Sequence, residues 1–589
     1  MKRYLLIAFS TVFALCGCSF LEPFPDGSYN EDNYDDYPAI IRGFIDKAYN
    51  LRPGTYYYAE FLGMDSATDD MMYRDKSSAI RQFAIGNAHM GSHPLSGVWN
   101  RDYEAIYYVN LFLKDGIGRK TRYLVDPGSN TVLQKCLQGD AFGLRAWYGF
   151  NLLKFWGGVG TDGRLLGVYI PTEPVDMEHY DGAGLVRPSY DESVKQILAD
   201  CDSALMYLPP ANRDQYLQGE AFHVTGAIRY RALDGISIKA LKAQVLLTWA
   251  SPAFNPSGDM TRWEKAARAA REVIDFKLNG ESGGLDPKAS FMWTNPNTAE
   301  VIYLGNITQN STFETNFYPL GFGGSANMVP SQELVDAFPM ANGYPITDPA
   351  SGYDKSRPYQ GRDPRFYATI FYDGCTVVRN QSPYTQMYTF DIADGGKDAP
   401  GGLKTSPSGY YVKKYVSLGW NPNDVSIQTA QHSIFFIRWT HMCLAFAEAA
   451  NHAVGPVTPI DGLTAKEALA YIRNRKVNTG TEDVAGVGAA GDPYLDACCS
   501  SREAFDKLVK DEWRVETCFE GIRFHNVRRW ATDVSEINVP VSGVSISGGK
   551  YTYAEIEKRS FPSLWMPIPY KELRLAPGMV QNKGWEDWK

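Results

Sequence analysis

Two adjacent acids, Asp69 and Asp70, come nearest in type and spacing to catalytic residues in this 589-residue chain. Paired carboxylates act as acid and base, or as acid and nucleophile, in the hydrolysis of glycosidic bonds. Adjacent acids in a loop are, however, also common without any catalytic role. The chain contains neither H-E-x-x-H nor G-x-S-x-G, and its eight histidines show no metal-ligand spacing. We therefore expect no enzyme activity, no metal site and no cofactor, and a surface glycosidase is the least favoured alternative.

Cys18 belongs to a different chemistry, because the residues before it have the pattern of a bacterial lipobox. Leu15 stands three residues before Cys18, and the small Gly17 stands directly before it. The apolar run from Leu5 to Leu15 has eleven residues, whereas a span of the bilayer needs about 20. We predict a lipoprotein signal peptide over residues 1–17 and a lipid on Cys18 that anchors the chain to a membrane. The alternative is an ordinary signal peptide.

The composition of the mature chain narrows its possible partners. Residues 18–37 are rich in Pro, Asp, Glu and Asn and poor in aliphatic side chains, which predicts a flexible acidic tether. Without the signal peptide, 56 basic and 67 acidic residues remain, so nucleic acid is a disfavoured partner. The seven other cysteines show no C-x-x-C pair and are expected to be small buried side chains.

The pattern of apolar residues predicts a mainly α fold. Eight segments show helical spacing, namely Leu95–Leu113, Gly139–Trp156, Tyr190–Leu208, Ile236–Ser251, Arg262–Ile274, Ile434–His452, Ala465–Arg475 and Arg502–Trp530. Residues 276–433 are instead rich in Gly, Pro, Asn and Tyr, with strand-like runs at Glu300–Leu304 and Tyr410–Tyr415. We predict a helical scaffold at about 38–275 and 434–589, within one domain over 38–589, that carries a loop-rich lobe at about 276–433.

A series of sequence blocks resembles the SusD/RagB family, and the blocks occur in the family's order. They are Trp99-x-x-x-Tyr103-x-x-Ile106-x-x-x-Asn110, Leu144-Arg145-Ala146-Trp147, Phe155-Trp156-Gly157-Gly158-Val159, Ser251-Pro252-Ala253-Phe254-Asn255, Gly361-Arg362-Asp363-Pro364-Arg365-Phe366, Glu520-Gly521-x-Arg523, Arg528-Arg529-Trp530 and Pro567-Ile568-Pro569. Gly160 departs from the pattern, since proline is usual there. The resemblance covers nearly the whole mature chain.

The resemblance implies a fold and a function. The family fold is a stack of tetratricopeptide-like helix pairs that supports an irregular ligand-binding lobe. Family members are lipid-anchored on the outer face of the outer membrane, where they cover a SusC-like TonB-dependent transporter. The expected function is therefore capture of an oligosaccharide or polysaccharide and its delivery to that partner. The alternative within the same family is capture of a peptide or glycoprotein.

Three loop stretches combine the groups that a sugar site needs. Sugar rings present an apolar face and a rim of hydroxyls, so they bind exposed aromatic rings and planar amide, carboxylate or guanidinium groups. These stretches are residues 65–81, 290–325 and 379–388. The predicted ligand-binding residues are Asp69, Asp70, Tyr73, Arg74, Trp293, Asn306, Phe317, Tyr318, Phe322, Arg379 and Tyr388. For each aromatic residue, the alternative is packing beneath a long loop.

Charged residues near the C-terminus have a structural interpretation. Glu512, Glu516 and Glu520 alternate with arginines along the last predicted helical segment. We interpret them as ion pairs within the helix and between helices that hold the scaffold together. Arg145 and Glu448 lie on apolar helices, so we expect each to be buried with a partner of opposite charge.

Overall fold

A computed structural model of the chain is mostly helical, which confirms the predicted fold class. It describes residues 37–54, 59–91, 93–117, 121–175, 182, 184–212, 224–279, 286, 288–290, 295–381 and 384–586. The helices are α1 (Pro38–Asn50), α2 (Ala79–Ala84), α3 (Ser96–Asp115), α4 (Pro127–Trp156), α5 (Tyr190–Tyr207), α6 (Gly235–Ala250), α7 (Met260–Asn279), α8 (Thr312–Phe317), α9 (Gln332–Ala337), α10 (Pro364–Thr369), α11 (Trp439–Val454), α12 (Ala465–Arg473), α13 (Pro493–Cys498), α14 (Arg502–Glu516), α15 (Arg523–Trp530) and α16 (Tyr570–Leu575).

The strands are short, and most of them pair in twos. They are β1 (Met71–Tyr73), β2 (Gly158–Val159), β3 (Leu165–Leu166), β4 (Lys288–Ser290), β5 (Val301–Asn310), β6 (Met328–Pro330), β7 (Ile370–Phe371), β8 (Thr376–Gln381), β9 (Tyr384–Thr389), β10 (Tyr411–Val412), β11 (Ala430–Arg438), β12 (Lys476–Asn478), β13 (Asp483–Val484), β14 (Pro540–Ser547) and β15 (Lys550–Lys558). Among the described residues, the largest sheet has three strands, in the order β13-β12-β4.

The long helices pack successively on one another. Helix α3 packs on α4, α4 on α5, α5 on α6, α6 on α7, and α7 on α11, which also contacts α12 and α14. Buried alanines allow close approach where α6 and α7 meet, among them Ala243 and Ala270. Helix α5 begins with a capping box, in which Ser189 and Glu192 satisfy each other's backbone N–H groups. One continuous core cluster runs from Ile41 to Trp585 through the scaffold and the lobe.

The predicted helix over Ile434–His452 is wrong in its first part. The structure forms strand β11 up to Arg438, and helix α11 begins at Trp439. Strand β11 pairs antiparallel with β5, and Ile434 to Ile437 are all buried. A short apolar run fits a buried strand as well as a buried helix, and its spacing alone does not separate the two.

The predicted helix over Arg502–Trp530 divides into α14 and α15. Between them, Phe519 and Gly521 have left-handed backbone angles, with φ of 66° and 75°. A Cβ atom on Gly521 would lie 2.4 Å from the Cα atom of Phe61, so the two backbones touch there. The chain therefore turns at Gly521 and redirects α15.

The described residues include the cysteines of the mature chain other than Cys18, and no membrane-spanning helix. Their seven cysteines are all free, and Cys375 and Cys499 are partly exposed. None of the described helices combines the length and the apolar character that a crossing of the bilayer requires. Cys18 and the tether lie mainly outside the described residues.

Candidate ligand-binding site

The two acids that lead the first predicted stretch form ion pairs with the scaffold. The Arg523 guanidinium donates to both Asp69 oxygens at 3.0 and 2.9 Å, and Arg514 Nε donates to Asp70 Oδ1 at 2.6 Å. Burial favours a raised pKa at Asp69, but Arg514 and Arg523 outweigh it and hold that pKa below its ordinary value. Burial raises the pKa of Asp70, which is fully buried. These carboxylates connect the segment before β1 to α14 and α15.

Tyr73 and Arg74 bring the first and second predicted stretches together. Strand β1 pairs antiparallel with β6, so Tyr73 lies opposite Met328. The Arg74 guanidinium donates to the Ser325 carbonyl at 3.0 Å and to Asn327 Oδ1 at 3.2 Å. Tyr73 and Arg74 are both half-buried. They are thus placed at the edge of the lobe, next to residues 325–328.

The second predicted stretch differs from the expected exposed platform. Phe317, Tyr318 and Phe322 are all fully buried. The Tyr318 ring stacks on Phe322 at 4.1 Å and on Trp420 at 6.0 Å. These rings pack beneath the long loop, because each finds other aromatic rings to bury against. Asn306 is half-buried on β5.

The third predicted stretch is a β-hairpin whose tyrosine also faces inward. Tyr388 on β9 is buried, its hydroxyl donates to Asp398 Oδ1 at 2.7 Å, and its ring lies 5.0 Å from Phe322, edge to face. Arg379 lies on β8, and its side chain is outside the described residues, as is all of Trp293. Ligand contact by the predicted residues stays a prediction.

A group of part-exposed tyrosines was not predicted from the sequence, and we name it the tyrosine surface: Tyr353, Tyr372, Tyr551 and Tyr553. The ring of Tyr359, which is 7% exposed, lies beneath them, 4.8 Å from Tyr372 and 5.6 Å from Tyr551. Tyr553 is the most exposed of the four, at 44%. The hydroxyls of Tyr353 and Tyr553 lie close enough to influence each other's pKa.

The tyrosine surface has a recognisable sequence origin. Gly548-Gly549 separates two strand-like runs, which is typical of a hairpin. Side chains two residues apart on a strand point to the same face, so Tyr551 and Tyr553 project together from β15. Strands β14 and β15 pair over their full length, and Ser408 holds β14 through a hydrogen bond from Val544 N.

Polar groups lie next to the tyrosine surface. Asp336 is exposed on α9 and accepts a hydrogen bond from Gln332 Nε2 at 2.8 Å. Gln332 in turn accepts from the Tyr410 hydroxyl at 2.7 Å, and that hydroxyl lies 3.3 Å from the hydroxyl of Tyr359. Burial, with Tyr353 and the negative charge of Asp336, raises the pKa of Tyr553. A carboxylate therefore borders the aromatic rings, as recognition of sugar hydroxyls requires.

The glutamates near the C-terminus form ion pairs, as interpreted, but the expected pairing within the helix is wrong. Glu512, Glu516 and Glu520 pair with basic residues of other elements. Arg438 donates to Glu300 at 2.8 Å, to Glu516 at 3.1 Å and to Glu520 at 2.8 Å. Arg475 also pairs with Glu300 and Glu516. This cluster is almost fully buried and joins β11 and the segment after α12 to α14.

Arg145 and Glu448 are buried with partners, as predicted. The Arg145 guanidinium binds both oxygens of Asp200 at 2.9 and 2.6 Å, and the Arg529 guanidinium binds both oxygens of Glu448 at 2.5 and 2.7 Å. In the part of the chain that the structure describes, no group of three or more His, Cys, Asp or Glu side chains could hold a metal ion.

These features define a helix-pair scaffold protein that carries a loop-rich lobe with an aromatic surface. The sequence model of the SusD family matches residues 290–585, and a second model, "Starch-binding associating with outer membrane", matches residues 19–220. The chain belongs to the SusD family.

Solved structures share the fold over nearly the whole chain. A SusD-like protein from Bacteroides fragilis has 22% identity and a TM-score of 0.69, over 94% of this chain and 98% of that chain. A SusD-like carbohydrate binding protein from the same organism has 16% identity and a TM-score of 0.66, over 93% and 99%. A SusD superfamily protein from Parabacteroides distasonis has 18% identity and a TM-score of 0.60, over 93% and 99%. No curated protein matches the chain at a significant level.

Proposed function

We propose that this protein captures glycans at the cell surface and delivers them to a SusC-like TonB-dependent transporter. Membership of the SusD family supports glycan binding, since a matching family model is described as starch-binding and as associating with the outer membrane. The predicted lipid on Cys18 would anchor the chain, with residues 18–37 as a tether. The helical scaffold and the lobe at about 276–433 would then face the cell exterior.

The tyrosine surface is the observation that carries this proposal. Tyr551 and Tyr553 project from a paired hairpin, and the Tyr551 ring packs against Tyr359 before any ligand binds. A fixed ring loses little conformational entropy on binding, and its apolar face suits the CH face of a sugar. Asp336 supplies a carboxylate beside the rings. Recognition by a few rings and hydrogen bonds corresponds to a Kd of roughly μM to mM.

Isothermal titration of the mature protein against a glycan panel tests the proposal. We expect saturable binding of at least one oligosaccharide, and weaker binding by Tyr551→Ala and Tyr553→Ala. Each lost ring should raise Kd by roughly two- to twelvefold, which corresponds to about 0.5–1.5 kcal/mol. Tyr570→Ala is the matched control, because Tyr570 is 48% exposed and lies outside the tyrosine surface.

Two results would count against the proposal. If no glycan binds while a peptide does, the ligand is peptide in nature, and competition between free sugars and peptides separates the two. If glycan binds equally well to Tyr551→Ala, Tyr553→Ala and Tyr570→Ala, the tyrosine surface is not the site.

A further inference from the structure

A cleft of about 910 Å³ lies on the helical scaffold, outside the lobe at about 276–433. Its lining residues come from two stretches, between positions 164 and 175 and between positions 182 and 192. Binding sites for small ligands have volumes of about 300–1,000 Å³, so the cleft is large enough for a short oligosaccharide. The four residues of the tyrosine surface do not line it. We name it the Tyr169 cleft after its exposed aromatic ring.

Hydrogen bonds join the two stretches, so the cleft exists before any ligand binds. Gly167 N donates to the Pro188 carbonyl at 2.8 Å, and Leu166 and Ser189 form a β-bridge. The buried Arg187 guanidinium donates to the carbonyls of Gly167 and Leu166 at 2.9 and 3.2 Å. A site that is already formed costs little conformational entropy when a ligand binds.

Two scaffold helices hold one short segment of the cleft by its carbonyl groups. Asn110 Nδ2 on α3 donates to the carbonyls of Pro171 and Glu173 at 2.9 and 3.0 Å. Arg145 Nη1 on α4 donates to the Thr172 carbonyl at 3.1 Å. Because these carbonyls are bound to the scaffold, the backbone is fixed, while the side chains of Thr172 and Glu173 are exposed at the cleft.

Tyr169 supplies the aromatic ring. It is 45% exposed, whereas its neighbours Val168 and Ile170 are 1% and 7% exposed. This alternation is typical of an extended chain, in which successive side chains point to opposite sides, so the Tyr169 ring is directed outward. The Tyr103 hydroxyl donates to the Tyr169 carbonyl at 2.9 Å and fixes the backbone there.

The cleft combines this ring with apolar surface and a free carboxylate. Pro174 and Val175 are half-buried, and Val186 is 57% exposed. In the part of the chain that the structure describes, the Glu173 carboxylate forms neither an ion pair nor a hydrogen bond. Sugar rings have an apolar face and a rim of hydroxyls, so they match an aromatic ring beside apolar surface and a charged acceptor.

The two arginines of the cleft have their own partners. Arg164 forms an ion pair with Asp162 at 2.7 Å. All five N–H groups of Arg187 donate to protein acceptors, which are four carbonyls and Asn582 Oδ1. With these cations engaged and Glu173 free, the cleft favours a neutral glycan over an acidic one.

We propose that the Tyr169 cleft is a second glycan-binding site, in which a neutral sugar packs on Tyr169 and donates hydroxyl hydrogen bonds to Glu173. This inference rests on the proposed function, because it takes the same class of ligand. A glycan long enough to reach both the Tyr169 cleft and the tyrosine surface would bind more tightly than either site binds alone.

Isothermal titration of the mature protein tests this inference, with maltohexaose, cellohexaose, xylohexaose and mannohexaose included in the glycan panel. In the double variant Tyr551→Ala/Tyr553→Ala, binding at the tyrosine surface is weakened, so the Tyr169 cleft should dominate the titration. Adding Tyr169→Ala to that variant should raise the remaining Kd by roughly two- to twelvefold. Adding Tyr471→Ala should not, because Tyr471 is 37% exposed on α12 and does not line the cleft.

Glu173→Gln in the same double variant tests the carboxylate without changing the shape of the side chain. Hydrogen bonds to a charged acceptor are roughly twice as strong as those to a neutral one, so Kd should rise by roughly two- to tenfold. Glu503→Gln removes an exposed carboxylate on α14 and should leave Kd unchanged.

Three results separate this inference from the proposed function. If no glycan of the panel binds the wild-type protein, both fail. If glycan binds but Tyr169→Ala and Glu173→Gln leave every Kd unchanged, the proposed function stands and the Tyr169 cleft is not a glycan site. If Tyr169→Ala weakens binding while Tyr551→Ala and Tyr553→Ala do not, the cleft is a glycan site and the tyrosine surface is not.

Discussion

Buried carboxylates at the end of α14 are bound by basic residues that lie far apart in the sequence. Glu516 binds Arg365, Arg438 and Arg475. Desolvation of so many charges is costly, and the pairing offsets that cost only while every partner is present. We therefore expect the loss of any one residue of this cluster to destabilise the contact between the lobe and the scaffold.

Arg438→Met tests this sensitivity. The variant removes one of the buried positive charges that Glu300, Glu516 and Glu520 share, together with its hydrogen bonds, so it should lower the free energy of unfolding by about 3–5 kcal/mol. Urea unfolding followed by circular dichroism measures the change. Lys239→Met, which breaks an exposed pair with Glu272, should cost less than about 1 kcal/mol. If both variants lose the same free energy of unfolding, the buried cluster contributes no more to stability than an exposed ion pair does, which would contradict the prediction.

The same carboxylates predict how stability depends on pH. Burial favours raised pKa values at Glu300 and Glu512, but paired arginines lower both from 4.5 to about 2. The stability that these ion pairs contribute is therefore complete above pH 4.5, the ordinary pKa of a glutamate, and is lost as the pH falls toward 2, the pKa in the folded protein. We expect the urea midpoint to fall through this range. Glu512→Gln should be less stable and less pH-dependent, and a flat wild-type profile would contradict the prediction.

At the scale of elements, the turn between α14 and α15 is set by backbone contact. Gly521→Ala adds a Cβ atom against Phe61 and places alanine at a φ of 75°. We expect a loss of about 1–3 kcal/mol in the free energy of unfolding. Gly97→Ala is the matched control, because Gly97 lies in α3 with open space around its Cα. That control should gain about 0.5–1 kcal/mol, and similar effects in both would refute the prediction.

Long amphipathic helices such as α3 and α5 could be predicted from sequence, because their apolar spacing repeats over several turns. That β11 is a strand could not be predicted, because its partner β5 lies more than a hundred residues earlier in the chain. The same limit applies to the site. Tyr318 and Phe322 stand among glycines and proline, which is typical of exposed loop residues. In the structure, Trp420 and Tyr388 cover them. The positions of these two covering rings depend on the tertiary fold, so the sequence pattern does not reveal them. Tyr551 and Tyr553 could have been found from their spacing on a hairpin.

At the scale of the whole molecule, the anchor can be tested apart from the ligand site. Cys18→Ala should release the protein from the membrane fraction, because the lipid is its predicted attachment. Detergent phase partitioning of cell fractions measures this change. Cys16→Ala, two residues earlier, should stay membrane-bound, and retention of Cys18→Ala would refute lipidation at Cys18.

The alternative of glycan cleavage is tested on the same mature protein. Asp69 and Asp70 are paired with Arg514 and Arg523, so we expect no product from any glycan that binds. Chromatography of the glycan after long incubation detects cleavage. Product release that disappears in Asp70→Asn would establish a glycosidase instead.

A crystal structure of the mature protein, soaked with the oligosaccharide that binds most tightly in the panel, tests the central claim most directly. We predict an uncleaved oligosaccharide with sugar faces against Tyr551 and Tyr553 and hydroxyls near Asp336. An oligosaccharide bound away from the tyrosine surface, or a cleaved product within the lobe, would contradict the account.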